Sequence, residues 1–204
     1  MIKIHAQILK ELNLVAKTVL EIGSRDGNDA KFYQEQFNIK NEDVYIVEPN
    51  PIMCNEIKKT YPNFNIFQAA VSDVDGSAVF NQVINGGMDP IGVSSLLDRT
   101  DDFYKRFETR KITVNTITGK TLLQKINKEI DICKIDVEGL TYEVLKSFGE
   151  NLSIKTFHLE TEHRQFWENQ KMHEEVCELM YELNYKLLWE DKNPYQSDTI
   201  WIKQ

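Results

Sequence analysis

Cysteine, proline and long apolar runs are all scarce in this sequence, and each scarcity excludes a class of protein. The three cysteines are far apart and form no C-x-x-C pair, which argues against a disulfide framework and a zinc site built from cysteines. This usage suits a reducing compartment, so we expect a cytoplasmic protein. No apolar run approaches the roughly 18 residues of a membrane span, and the charged N-terminal segment is unlike a signal peptide.

No linker, repeat or low-complexity tract divides the chain, which predicts a single domain over residues 1–204 with an N-terminal helix at residues 1–17. Acidic residues outnumber basic ones by 32 to 24, giving a net charge of −8 that disfavours a nucleic-acid partner. One basic cluster stands against this trend, and it is either a solvated helix face or a patch for a phosphate or an acidic sugar. Its members are Lys105, Arg106, Arg110 and Lys111, with Lys120 and Lys125 beyond.

Short β-branched runs alternate with helical periodicity along the chain. The pattern predicts strands at 19–23, 44–48, 65–71, 132–137, 156–160, 186–190 and 199–203, and helices at 28–37, 51–60, 140–148 and 171–183. This alternation indicates an α/β fold, a mostly parallel seven-stranded sheet with helices on both faces. The last two strands are too close for a crossover helix, so we expect an antiparallel C-terminal hairpin.

The segment 76–125 departs from this alternation. Its pattern predicts short strands at 78–83 and 112–117 around a polar middle. We expect an insertion beside the ligand edge of the sheet, where it would shape the site for the acceptor molecule.

A glycine-containing turn, EIGSRDG, follows the first predicted strand and opens a helix. Glycine permits a tight turn there, while Arg25 would obstruct the pyrophosphate of a dinucleotide. An acidic Glu21 suits a cationic amino group. The turn therefore favours S-adenosylmethionine, and an ordinary strand-to-helix turn is the alternative. The predicted cofactor residues in it are Glu21, Gly23, Ser24, Arg25, Asp26 and Gly27.

Two further strand ends carry cofactor signals. Glu48 ends the second strand just before Pro49, where an acidic residue hydrogen-bonds ribose hydroxyls in nucleotide-binding folds. Ala70 and Val71 close the third strand and offer a flat apolar wall for adenine, with Ser72 near its polar edge. The alternative for Glu48 is a surface carboxylate without a ligand, and the alternative for Ala70 and Val71 is a strand end without a binding role.

Charged residues at the ends of the next two strands point to the chemistry. Lys134 and Asp136 share one strand face, and they are a structural ion pair, a functional pair, or both. Glu160 and His163 follow on the neighbouring strand and should lie at the same edge. We expect Asp136 to contact both acceptor and cofactor, and His163 to accept a proton, because imidazole titrates near neutral pH.

Together these segments resemble the FkbM family of S-adenosylmethionine-dependent methyltransferases. The residues that carry the resemblance are EIGSRDG, VEPNP, AAVSD, the serine pair of GVSSL and, most specifically, KIDVEG followed by a helix. The resemblance implies a Rossmann-like class I methyltransferase fold and transfer to a hydroxyl oxygen of a sugar, a glycan or a small natural product. Two departures stand out: Arg25 in the first motif, and Thr118 with Gly119 in place of an acidic residue.

The leading function is O-methylation of a small-molecule or glycan acceptor, and two alternatives stay open. One is a nucleic-acid methyltransferase acting on ribose, which would need a basic surface. The other is a non-catalytic module that binds the cofactor. A Mg²⁺ ion is also compatible with the sequence, held by Asp136, Glu138 and Glu160, since these are hard oxygen donors. The sequence carries no signal for oligomeric state.

Overall fold

A computed structural model describes residues 2–84, 92–100, 107–149 and 152–204. The strands are β1 (Val19–Ile22), β2 (Val44–Val47), β3 (Asn65–Phe67), β4 (Ala70–Val71), β5 (Gly76–Val83), β6 (Thr109–Ile117), β7 (Ile130–Ile135), β8 (Ile154–Glu162), β9 (Tyr185–Lys192) and β10 (Gln196–Lys203). The described α-helices are α1 (Ile2–Glu11), α2 (Asn28–Phe37), α3 (Pro51–Thr60), α4 (Gly119–Ile126), α5 (Thr141–Ser147) and α6 (His173–Glu182). Of these helices, none has the length and hydropathy that a membrane crossing requires.

The main sheet has seven strands in the order β3-β2-β1-β7-β8-β10-β9. The first five run parallel, and β10 pairs antiparallel with both β8 and β9. The connection between β9 and β10 is short, so no crossover helix fits and only antiparallel pairing is open to them. The predicted α/β fold, with its antiparallel C-terminal hairpin, is confirmed.

Helices cover both faces of this sheet because side chains alternate along each strand. On one face, Val19 and Ile132 pack against α1, α2 and α3. On the other face, Leu20 and Cys133 pack against α4, α5 and α6. The strands are therefore apolar on both sides, as is typical of parallel sheets.

The structure corrects the predicted third strand and the predicted insertion. Residues 65–71 do not form one strand: β3 pairs with β2, whereas β4 joins β5 and β6 in a separate three-stranded sheet. The chain turns between them, where the amide of Ala69 donates to the carbonyl of Phe67. Residues 119–126 form α4, whose Leu122 and Ile126 lie in the main core, so the end of the predicted insertion belongs to the central fold.

The first helix also differs from its prediction, because α1 ends at Glu11 instead of extending towards residue 17. Asn13 has a φ of 54°, in the left-handed region, which a right-handed helix cannot contain.

A close backbone crossing lies where the loop after β1 meets the end of β7. Gly23 has a φ of +78°, and a Cβ atom there would lie 1.9 Å from the carbonyl oxygen of Asp136. The amide of Asp136 in turn donates to the carbonyl of Ile22 at 3.0 Å. Only glycine satisfies both the conformation and the contact.

We predict that Gly23→Ala destabilises the fold far more than Gly149→Ala does. Gly149 is the matched control, since its φ is +80° and no described atom lies within 4 Å of an added Cβ. The control should lose roughly 1–2 kcal/mol, the cost of a left-handed conformation for an L-residue. Gly23→Ala should lose at least about twice as much, because the backbone of Asp136 must also move. Equal losses in denaturant unfolding would show that the crossing adds no constraint.

Candidate functional site

A cavity opens at the carboxyl ends of β1, β2 and β7, where open α/β sheets bind ligands. About 590 Å³ of empty space lies between its walls, part of which is open solvent. The predicted cofactor residues that line it are Gly23, Arg25, Glu48, Pro49, Ala70, Val71 and Asp136. Met53 and Phe80 add apolar walls, so one side of the cavity is apolar and the other is acidic.

The loop after β1 is held in shape by its own polar side chains. The hydroxyl oxygen of Ser24 accepts a hydrogen bond from the amide of Gly27 at 3.0 Å, and Asp26 accepts one from the amide of Asn28. Arg25 has a φ of 54°, an unusual conformation for a residue with a side chain, and its guanidinium lies 3.4 Å from Asp26. The loop is therefore ordered by its own hydrogen bonds.

Glu48 links this loop to the end of β2. One carboxylate oxygen accepts from the amide of Arg25 at 2.9 Å, and the other accepts from the amide of Asn50 at 2.7 Å. Burial raises the pKa of Glu48 to about 7, although both amides oppose that shift. Each oxygen keeps a second lone pair, so the carboxylate can accept further hydrogen bonds from a ligand in the cavity.

Five of the predicted cofactor residues do not line this cavity, namely Glu21, Ser24, Asp26, Gly27 and Ser72. Glu21 is 2% exposed and accepts a hydrogen bond from the amide of Ala30, so it secures the N-terminal turn of α2. Its strand parity points it beneath the loop, where burial raises its pKa to about 8. Gly27 packs against the ring of Tyr61, and the hydroxyl of Ser72 donates to Asp73.

A buried ammonium group lies below the cavity. Lys134 Nζ is 2.7 Å from a carboxylate oxygen of Asp136 and 2.7 Å from one of Asp29. Burial alone would raise the pKa of Asp136, but the charge and hydrogen bond of Lys134 bring it below its ordinary value. Asp136 is therefore ionised at neutral pH, and both interpretations of the Lys134–Asp136 pair stay open because Asp136 also lines the cavity.

Glutamates surround the charge of Asp136. That charge, followed by burial, raises the pKa of Glu160 to about 10. Burial, followed by the charges of Asp136 and Glu162, raises the pKa of Glu138 well above its ordinary value. Burial also raises the pKa of Glu162 to about 7. At neutral pH this acidic edge therefore holds protons, since adjacent carboxylates do not all ionise together.

A second cavity begins at these glutamates and has aromatic walls. Glu138 lines both cavities, and Glu160 and Glu162 line the second. The remaining residues around it include Arg99, Arg164, Phe166, Trp167 and Tyr195. The guanidinium of Arg99 lies 4.2 Å from the Trp167 ring centre, and that of Arg164 lies 4.7 Å from the Tyr195 ring centre.

Sequence reasoning missed this second cavity, including Glu162, Arg99 and the aromatic residues. Its walls come from segments far apart in the chain, which no local motif connects. The alternation of Glu160 and Glu162 along one strand was the available signal.

The structure corrects the placement of His163. Its ring nitrogen Nε2 lies 2.8 Å from the hydroxyl of Ser197, and its ring centre lies 4.6 Å from that of His173. These contacts lie on the α6 side of the sheet, whereas Glu160 and Glu162 face the cavities. The odd and even positions of β8 point to opposite faces, so a base expected beside Asp136 lies on the wrong side.

The predicted Mg²⁺ ligands receive no support from the geometry. Among the described residues, Asp136, Glu138 and Glu160 do not form a group whose ligand atoms all lie within 4.8 Å of one another. Asp136 instead forms an ion pair with Lys134, which already supplies a cation at this point.

The described members of the predicted basic cluster lie on two different elements. Arg110 and Lys111 lie on β6, not on a helix, and contact Gln82 and Asp98 respectively. Lys120 and Lys125 belong to α4. Lys105 and Arg106 lie outside the described residues.

Comparisons with known proteins agree with this architecture. The ribosomal protein L11 methylase from Lactobacillus delbrueckii subsp. bulgaricus is similar with a TM-score of 0.54 at 8% identity, over 98% of this chain and 78% of that one. The N-terminal domain of EvdMO1, solved in the presence of SAH and D-fucose, has a TM-score of 0.52 at 10% identity, over 100% of this chain and 82% of that one. At such identities the likeness shows the fold alone.

Two further findings concern the family. A sequence search of curated proteins found no match. The methyltransferase FkbM from Methylobacillus flagellatus KT is similar with a TM-score of 0.54 at 10% identity, over 92% of this chain and 43% of that one. The Methyltransferase FkbM domain family matches residues 21–187. Because that match covers most of the chain, this protein belongs to the FkbM methyltransferase family.

Proposed function

We propose that this protein transfers the methyl group of S-adenosylmethionine to a hydroxyl oxygen of a sugar or a similar polyhydroxylated molecule. The observation that carries the proposal is that two cavities share Glu138 as a wall residue. An acidic and apolar cavity at the carboxyl edge of the sheet meets, at Glu138, a second cavity lined by glutamates and aromatic rings.

The first cavity suits the cofactor. The two ribose hydroxyls donate hydrogen bonds to the remaining lone pairs of the Glu48 carboxylate. Ala70 and Val71, together with Met53, provide the apolar surface against which adenine packs. The ionised Asp136 faces the positively charged end of the ligand. Family membership supports this assignment, and EvdMO1, a protein of similar fold, was solved with SAH present.

The second cavity suits a polyhydroxylated acceptor. Carboxyl groups of Glu138, Glu160 and Glu162 exchange hydrogen bonds with hydroxyls, and aromatic faces pack against the apolar side of a sugar ring. The two arginines add positive charge, which favours an acidic substituent on the acceptor. The presence of D-fucose in the EvdMO1 structure is consistent with such a substrate class.

We assign the proton transfer to Glu160, which lines the second cavity and lies close enough to Asp136 for that charge to dominate its pKa. The cofactor supplies a methyl group on a sulfonium sulfur. As the acceptor oxygen forms its bond to the methyl carbon, the carbon–sulfur bond breaks and its electron pair stays on sulfur. The hydroxyl proton passes to the Glu160 carboxylate. Asp136 orients the acceptor and the cofactor for this step.

Methyl transfer from labelled S-adenosylmethionine tests the substrate class. We expect incorporation into free sugars, nucleotide sugars or glycans, and none into RNA, because the chain has a net charge of −8. Incorporation into RNA that falls steeply with salt would favour the ribose-directed alternative. Binding of the cofactor without transfer to any acceptor fraction would favour the non-catalytic module.

We predict that Glu48→Gln weakens binding of SAH roughly ten- to a hundredfold. The amide has one accepting oxygen where the carboxylate has two, and hydrogen bonds to charged groups contribute about 1.5–3 kcal/mol. Calorimetric titration measures the change, with Glu56→Gln on the exposed face of α3 as the matched control. Unchanged affinity in a folded Glu48→Gln variant would remove Glu48 from the ribose site.

We predict that turnover rises with pH into the alkaline range, because Glu160 is protonated at neutral pH and accepts a proton only after ionising. Glu160→Gln should lower kcat by about 10²–10⁴-fold and flatten this rise. Asp136→Asn should shift the rise to lower pH, since the charge of Asp136 is the main cause of the raised pKa of Glu160.

The pH profiles of kcat at saturating substrates decide between two glutamates. A wild-type rise centred near pH 7 that disappears in Glu162→Gln would transfer the role to Glu162, whose pKa is about 7. A rise that stays in place in Asp136→Asn would contradict the coupling between Asp136 and Glu160.

A further inference from the structure

A cluster of metal-ligating side chains lies on the face of the sheet opposite the glutamates. It consists of His163, directly after β8, His173, at the start of α6, and Glu190, in β9. One ring nitrogen of each histidine and one carboxylate oxygen of Glu190 all lie within 4.8 Å of one another. We propose that these three side chains bind a Zn²⁺ ion, at a site separate from the cofactor and acceptor cavities.

The contacts of His173 place its two ring nitrogens between Thr161 and Glu190. The Thr161 oxygen lies 2.9 Å from His173 Nδ1 and 3.3 Å from the carbonyl oxygen of Ser197. The other ring nitrogen, Nε2, lies 3.3 Å from a carboxylate oxygen of Glu190. In the tautomer whose Nδ1 donates to Thr161, the Nε2 lone pair faces this carboxylate, and a cation between the two acceptors removes their repulsion.

Two of the separations are compatible with a zinc site. Zinc bonds of about 2.0–2.2 Å to nitrogen and oxygen place tetrahedral ligand atoms about 3.4 Å apart. His173 Nε2 lies 3.3 Å from Glu190 and 3.4 Å from the Cys177 sulfur, which borders the same point.

The donor set also suits a zinc ion. Two imidazoles and one carboxylate favour Zn²⁺ over Mg²⁺, which prefers oxygen ligands.

The outer contacts resemble the supporting groups that orient ligands in metal sites. Ser197 connects two of the ligands, since its hydroxyl lies 2.8 Å from His163 Nε2 and donates to Glu190 at 2.6 Å. Thr161 fixes the His173 ring from the other side. Ligands held in this way need little reordering when the ion binds.

The position of the cluster gives the ion a structural consequence. His163 and His173 enclose the segment that carries Arg164, Phe166 and Trp167 into the second cavity. An ion on both histidines fastens the two ends of that segment to β9. The role of this segment as a wall of the acceptor site rests on the proposed function. The attachment of its two ends to β9 by the ion does not depend on that function.

Zinc titration of chelator-treated protein, without cofactor or acceptor, tests the site. We expect one Zn²⁺ per chain, a higher Tm with Zn²⁺ but not with Mg²⁺, and slower hydrogen exchange in residues 163–173. Glu190→Gln and His173→Gln should each weaken zinc binding by more than about tenfold. Glu178→Gln, on the exposed surface of α6, is the matched control and should bind zinc as the wild type does.

Absence of binding to the wild type, or equal affinity in Glu190→Gln, would overturn the proposal. Glu190→Gln should keep the apo fold, since the amide preserves the shape of the side chain and can donate to His173 Nε2. If either variant fails to fold, Co²⁺ in the wild-type protein decides, because intense visible bands mark a tetrahedral site and weak bands an octahedral one. Zinc binding and the Co²⁺ spectrum do not depend on methyl transfer, so failure of the proposed function would leave the zinc-site proposal unaffected.

Discussion

The buried ammonium of Lys134 is the interaction on which the site depends. It lies in the central strand β7 and bridges Asp29 at the start of α2 and Asp136 at the end of its own strand. Burying an unpaired charge is costly, so these carboxylates must stay close to it. By keeping Asp136 ionised, Lys134 also determines the protonation of Glu160, whose pKa rises mainly in response to that charge.

In the loop after β1, the same side chains fix the backbone and line the first cavity. Gly23 lets β1 pass close to the carbonyl of Asp136, and Glu48 holds the amide of Arg25 in its left-handed conformation. Because the carboxylate of Glu48 already organises the loop, a ligand meets a preformed site. Preorganisation of this kind lowers the entropic cost of binding.

The two faces of the sheet carry different chemistry at the same edge. Along β8, Glu160 and Glu162 face the cavities, while Thr161 and, just beyond the strand, His163 face α6. A difference of one residue therefore separates the Glu162 carboxylate, which lines the second cavity, from the His163 imidazole in the opposite cluster. Proximity in sequence says little about proximity in space unless strand parity is followed to its end.

Local sequence alone determined the mostly parallel sheet, the terminal hairpin and the convergence of Gly23, Glu48 and Asp136, because hydrophobic periodicity and strand ends are local properties. It also carried the family, through motifs that lie within single strand–loop–helix units. Tertiary structure alone decided that Glu21 supports α2, that residues 65–71 divide between two sheets, and that His163 lies across the sheet from Asp136. The second cavity was likewise decided by tertiary structure, since Arg99, Trp167 and Tyr195 meet only after the chain has folded. Packing between distant segments decides such contacts, and the direction of a side chain at a strand end depends on which neighbours it meets there.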